Sequence, residues 1–94
     1  GEDDRLRRAV IERVMCELEV DLDLAADEYG ADPEPLKAIA AAELPRLAAD
    51  RLADWDGHRI AVTEKGRPFV RSIASIFDAY LDRADQELRH SRVL

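Results

Sequence analysis

The sequence predicts a mainly α-helical domain: a small helical bundle carrying one β-hairpin. Three observations lead there. Apolar residues recur every fourth position at Leu6, Val10, Val14 and Leu18, with Ala9 beside them, which is the pattern of a helix that buries one stripe. A second apolar face, Phe69, Ile73, Ile76, Phe77, Tyr80 and Leu81, advances at helical spacing near the other end of the chain. Between them, Asp56-Gly57-His58 separates the short β-prone runs Leu52–Trp55 and Arg59–Val62, and Asp-Gly in that position is a strong turn signal.

The first helix is expected from about Asp4 to Leu18, with the acids Glu2 to Asp4 suited to its positive end. Glu19 to Asp23 alternates acid and apolar residues over too short a stretch for a convincing strand, so a turn is expected there. A short helix over Leu22 to Tyr29 stops at Gly30, the residue type that takes a left-handed cap. Asp32 is placed to cap a third helix, Pro33 to begin it and Pro35 to sit in its first turn. Pro45 is expected to break that helix, because proline lacks the backbone donor and crowds the preceding turn. The reading is therefore one helix to about Glu43 and another from Leu44 to Asp50. Two strands alone are marginal, so the hairpin must pack on helices. Thr63 is expected to cap the last helix, which becomes strongly polar from Asp82 onward. Helices, hairpin and helix in that order form a winged-helix-like arrangement.

With 94 residues there is room for one small domain spanning residues 1–94. Such a chain buries only roughly 60–65% of its unfolded surface, so stability is expected to be marginal. The net charge is −7 and it is unevenly spread. Residues 1–62 hold 16 acids and 8 bases, whereas residues 63–94 hold 5 acids and 6 bases. An acidic protein of this kind is not expected to bind nucleic acid or an anionic membrane, both of which need a cationic face. The predicted third helix offers only Lys37 as a cation between Leu36 and Glu43, which counts against a DNA-reading helix. No apolar run approaches the ~20 residues of a membrane span, and no signal peptide is visible. A cytoplasmic location is expected.

The lone cysteine, Cys16, excludes an internal disulfide and a self-contained iron–sulfur or thiolate-rich zinc site. Lying beside the apolar stripe, it is expected to be a buried structural thiol. His58 and His90 have no neighbouring ligands at metal spacing, so no metal site is expected. Ser72, Ser75 and Ser91 have no His/Asp partners by spacing. The acids from Glu17 to Glu28 lack the glycine of a calcium loop and are expected to form a solvated face. Arg67 and Arg71, four residues apart, could grip carboxylates in the bidentate way guanidinium favours, or answer nearby acids as ordinary surface residues. Gly66 either serves a close backbone approach or marks a loose turn before Pro68.

The motif Thr63-Glu64-Lys65-Gly66-Arg67, followed by Arg71, Phe77-Asp78-Ala79-Tyr80-Leu81 and Ser91-Arg92, resembles the C-terminal segment of oxygen-independent coproporphyrinogen III oxidases. These are radical S-adenosylmethionine enzymes of haem biosynthesis. Arg8 to Glu12, Val14 to Cys16 and Leu44 to Thr63 are similar to other parts of the same region. One departure is Arg51, which stands where the family usually has glycine.

The resemblance implies a C-terminal domain of a larger enzyme, packed on a catalytic radical S-adenosylmethionine barrel and helping to close the substrate site. It implies a [4Fe–4S] cluster and S-adenosylmethionine in the full-length enzyme, none in this chain, and a tetrapyrrole substrate whose two propionates are oxidatively decarboxylated. No catalytic residue is expected in this chain. Arg67, Arg71 and Arg92 are the candidates for contacting substrate or the neighbouring domain. The alternatives are a stand-alone winged-helix or protein-interaction module, or the same domain of a related haem-handling paralogue.

Overall fold

The first apolar stripe forms a helix, α1 (Glu2–Glu17), that buries Leu6, Val10 and Val14. The computed structural model describes the backbone of residues 2–78 and the side chains of residues 4–78. Tyr80, Leu81, His90, Ser91 and Arg92, and the polar stretch after Asp82, lie outside the described residues. Leu18 does not extend α1 as a helical residue. It takes a left-handed backbone conformation at φ 63°, and its carbonyl accepts a hydrogen bond from the Val62 amide at 2.7 Å.

That reversal starts a strand where the sequence pattern suggested a turn. β1 (Glu19–Asp21) pairs antiparallel with β3 (Arg59–Val62), matching Val20 to Ile60. Both of those side chains are buried. Three residues are too few to show a period, so the pairing partner and the burial of Val20 decide the strand. β2 (Ala53–Trp55) pairs with the other edge of β3, and the sheet order is β1-β3-β2. The expected hairpin is therefore two-thirds of a three-stranded sheet.

α2 (Leu22–Glu28) is capped by Asp21, whose Oδ1 accepts from the Leu24 amide at 3.0 Å. Gly30, at φ 62°, ends it as expected. The Gly30 amide reaches Asp27 O and the Ala31 amide reaches Ala26 O, the paired bonds of a Schellman cap. α3 (Glu34–Ala49) begins one residue later than anticipated, with Asp32 Oδ1 accepting from the Glu34 amide at 3.0 Å.

Pro45 does not interrupt α3. The bond it cannot donate belongs to the carbonyl of Ala41 one turn back. Both residues are exposed, so water can serve that carbonyl. After a 3₁₀ turn over Arg67–Phe69, residues 70–78 form α4.

Leu36, Ala40 and Leu44 from α3, Leu22, Ala25 and Ala26 from α2, and Ile73, Ala74 and Phe77 from α4 join the α1 stripe, Ala53 and Ile60 in one core. The chain order α1-β1-α2-α3-β2-β3 with a β1-β3-β2 sheet is winged-helix-like. None of the described helices is long and apolar enough to cross a membrane.

Candidate functional site

The segment from Thr63 to Arg71 divides into a hydrogen-bonded latch, in which Gly66 is buried, and an exposed edge. α3 ends in a second Schellman cap: the Arg51 amide reaches Ala48 O and the Leu52 amide reaches Leu47 O. The residue at the left-handed position is Arg51, at φ 61°. The backbone there has the conformation glycine favours, so the entry to the hairpin keeps its shape despite the arginine.

The motif fastens onto this cap. The Thr63 amide donates to Leu52 O at 3.1 Å, and the Thr63 hydroxyl donates to Arg51 O at 2.6 Å. The same hydroxyl accepts from the Gly66 amide at 3.1 Å, so Thr63 closes the turn ahead of the last helix and does not cap that helix directly as expected; the intervening 3₁₀ turn follows Gly66 without a side-chain cap. Lys65 Nζ donates to Asp50 O at 3.1 Å, answering one of the free carbonyls at the α3 C-terminus. Gly66 is buried against the Leu52 backbone, where a Cβ would meet Leu52 O at 1.9 Å. Its φ of −81° is ordinary, so the close approach is what demands glycine.

The outward side is different. Arg67, Pro68, Phe69, Arg71 and Ser72 are all exposed. Among the described residues, Arg67 and Arg71 have no ion-pair partner. Arg92 lies outside the described residues. Phe69 corrects the sequence pattern: it is 51% exposed, while Ile73 and Phe77 are buried. Residues 67–69 wind as a 3₁₀ turn, with about 120° per residue against about 100° in an α-helix, so Phe69 falls out of phase with the face that follows.

A second constellation comes from residues far apart in sequence. Asp21, Asp23 and His58 bring a carboxylate oxygen each and a ring nitrogen within 4.8 Å of one another. The sequence showed no ligand set at metal spacing around His58, because Asp21 lies 37 residues away. Each group already has work. Asp21 caps α2, and its Oδ2 lies 3.2 Å from His58 Nδ1. Asp23 accepts from Lys37 Nζ at 3.2 Å, and that bond holds the ammonium above its ordinary pKa. The His58 carbonyl accepts from the Leu22 amide at 2.7 Å. The arrangement ties the β2–β3 turn to the starts of α2 and α3. Within the turn, Asp56 Oδ1 accepts from the amides of His58 and Arg59, which holds its carboxyl below the usual range.

Cys16 is exposed, not buried. It stands about 200° around α1 from Val14, off the buried stripe. Beside it a shallow groove is lined by Arg13, Glu17 and Tyr29. Arg13 is occupied there by an ion pair with Glu28, which raises its pKa.

The fold and latch define a small winged-helix-like domain whose Thr63, Lys65 and Gly66 bind the end of α3, while Arg67 and Arg71 have no ion-pair partner among the described residues. The family model of the HemN C-terminal domain matches residues 2–69, and the chain belongs to that family. It is 43% identical over 93 residues to an oxygen-independent coproporphyrinogen III oxidase of Bradyrhizobium diazoefficiens, covering 99% of this chain and 20% of the relative. It is 40% identical over 92 residues to the enzyme of that name from Pseudomonas aeruginosa, covering 98% of this chain and 20% of the relative. The solved structure of coproporphyrinogen III oxidase from Escherichia coli, described as a radical SAM enzyme, matches with a TM-score of 0.73 and 34% identity over 85% of this chain and 18% of that one. The chain thus spans about a fifth of the length of the curated relatives it matches.

Proposed function

We propose that this chain is the C-terminal domain of an oxygen-independent coproporphyrinogen III oxidase, acting with a catalytic radical S-adenosylmethionine domain on the same polypeptide. The observation that carries the reading is the near-complete match of this chain to enzymes of that one name at about two-fifths identity. The reaction would convert coproporphyrinogen III to protoporphyrinogen IX by oxidative decarboxylation of two propionates, in the cytoplasm, without nucleic acid or membrane as partner. The pairing of Lys37 with Asp23 and Glu34 supports the exclusion of nucleic acid, since it occupies the cation on the middle of α3.

The residues of this chain do not fit a [4Fe–4S] cluster. There is one cysteine, and it is exposed on α1 with an arginine–glutamate pair beside it. The cluster and S-adenosylmethionine are therefore assigned to the remainder of the polypeptide, and no step of the reaction is assigned to side chains here. In this reading the domain packs beside the catalytic site and helps close it. Arg67, Arg71 and Arg92 face the neighbouring domain or the substrate carboxylates, for which guanidinium geometry is suited.

The test is an anaerobic assay of the full-length, cluster-loaded protein with coproporphyrinogen III and S-adenosylmethionine, with the tetrapyrroles separated by chromatography. Accumulation of the decarboxylated product is expected. Intact substrate after many equivalents of S-adenosylmethionine would overturn the assignment.

A further inference from the structure

We infer that the turn Arg67–Phe69, with Arg71 one turn on, is a preformed docking edge covered by the part of the same polypeptide outside this domain. Phe69 enters an apolar pocket whose rim carries carboxylates. This rests on the proposal that the chain is one domain of a longer enzyme.

Phe69 is exposed because the backbone holds it there. The Phe69 amide donates to Gly66 O at 2.8 Å and the Arg67 amide to Thr63 O at 3.1 Å. Gly66 in turn is seated on the Leu52 backbone. A turn cross-linked in this way loses little conformational freedom when a partner arrives, the condition under which a contact yields affinity.

Its outward residues are of the kinds interface cores favour, an aromatic ring with arginines. The charge pattern names the complement. In a chain of net charge −7, Arg67 and Arg71 are left without ion-pair partners among the described residues. A carboxylate-bearing surface would complete them. The other exposed large apolar side chains are Met15 and Leu24, and Leu24 is flanked in sequence by Asp23, Asp27 and Glu28, with the nearby Lys37 already paired to Asp23. The occupant is taken to be the rest of the polypeptide because the relatives carry about four-fifths of their length outside the matched region.

Hydroxyl-radical footprinting of the full-length protein, with free phenylalanine in the same tube as dose reference, tests the assignment. A fully desolvated anchor, shut off from solvent radicals, should react severalfold more slowly than a half-exposed ring. Arg71→Glu, which sets a carboxylate against the proposed acidic rim, should raise the Phe69 rate severalfold toward the half-exposed value. A Phe69 rate already at that value overturns the inference, and so does protection that Arg71→Glu leaves unchanged. Protection that grows with protein concentration would assign the edge to a second copy and also overturns it. Footprinting reads docking whether or not the protein turns over. A protected Phe69 in an inactive protein would sink the oxidase proposal alone, and a reactive Phe69 in an active enzyme would sink the docking edge alone.

Discussion

Gly66 and Leu52 are in backbone contact so close that a single added carbon at Gly66 would lie 1.9 Å from the Leu52 carbonyl oxygen. Leu52 cannot retreat cheaply, because its amide closes the α3 cap on Leu47 and its carbonyl accepts from Thr63. Gly66→Ala is therefore expected to cost about 3 kcal/mol or more, at or beyond the upper end of ordinary overpacking. Urea denaturation of the 94-residue chain measures it, and a variant within 1 kcal/mol of the parent (roughly the floor for overpacking) would show that the latch is looser than its geometry.

The opposite sign is expected at Arg51. A left-handed conformation costs a residue with a Cβ about 1–2 kcal/mol, and glycine escapes that cost. Arg51→Gly should stabilise the domain by about 1 kcal/mol, raising the melting temperature by roughly 4–8 °C for a chain of this size. A lower melting temperature would mean that the arginine side chain contributes contacts outweighing its strain.

Phe69 and Phe77 should behave as different kinds of residue, although the sequence pattern put them on one face. Phe77 is fully buried and Phe69 half exposed. Phe77→Ala should cost about 3–5 kcal/mol and unfold much of so small a domain. Phe69→Ala should stay within about 1 kcal/mol. Circular dichroism through a thermal scan separates the two.

Arg67→Ala and Arg71→Ala should leave the melting temperature of the domain within a few degrees, since surface charges contribute about 0–1 kcal/mol. In the full-length enzyme each should lower oxidase activity about tenfold or more, as loss of a carboxylate-gripping group does. Unfolding of the domain, or unchanged activity, would return both residues to the ordinary surface.

Asp56 sets a pH dependence whose sign follows from its depressed pKa. Its carboxylate is favoured in the folded state by two backbone amides, so the stabilisation is present above the unfolded pKa of about 3.9 and is lost as pH falls through the lower folded value. Asp56→Asn keeps an oxygen acceptor without the charge. The stability difference between parent and variant should shrink below about pH 4. A difference that stays constant from pH 6 to pH 2 would rule this out.

What could be read from the chain was local. Asp56-Gly57, Gly30 and the spacing of Leu6, Val10 and Val14 each act within a few residues, and each reappears in the structure. What could not be read depended on distant partners. β1 exists because β3 lies beside it, and Asp21 meets His58 across the sheet. Pro45 was misjudged because a lost donor on the wet side of a helix is tolerable, and Phe69 because three residues of tighter winding shift the phase. Of the candidate site, the motif was legible as a pattern, yet its Thr, Lys and Gly turned out to bind the end of α3. Arg67 and Arg71 are left facing outward, as are the motif acids Glu64 and Asp78.

The central strand of the sheet is also the last of the three to be synthesised. Glu19 on β1 waits for Arg59, its ion-pair partner 40 residues later, and for Ala61, its cross-strand partner. At roughly 5–20 residues per second, a nascent chain spends on the order of 2–8 s with that segment unpaired. Two of its three residues are acids, Glu19 and Asp21, flanking the lone apolar Val20. Charge on so short an edge discourages pairing with a neighbouring nascent chain. The residues that made β1 hard to recognise as a strand are thus the ones that keep it solvated on the ribosome until β3 arrives.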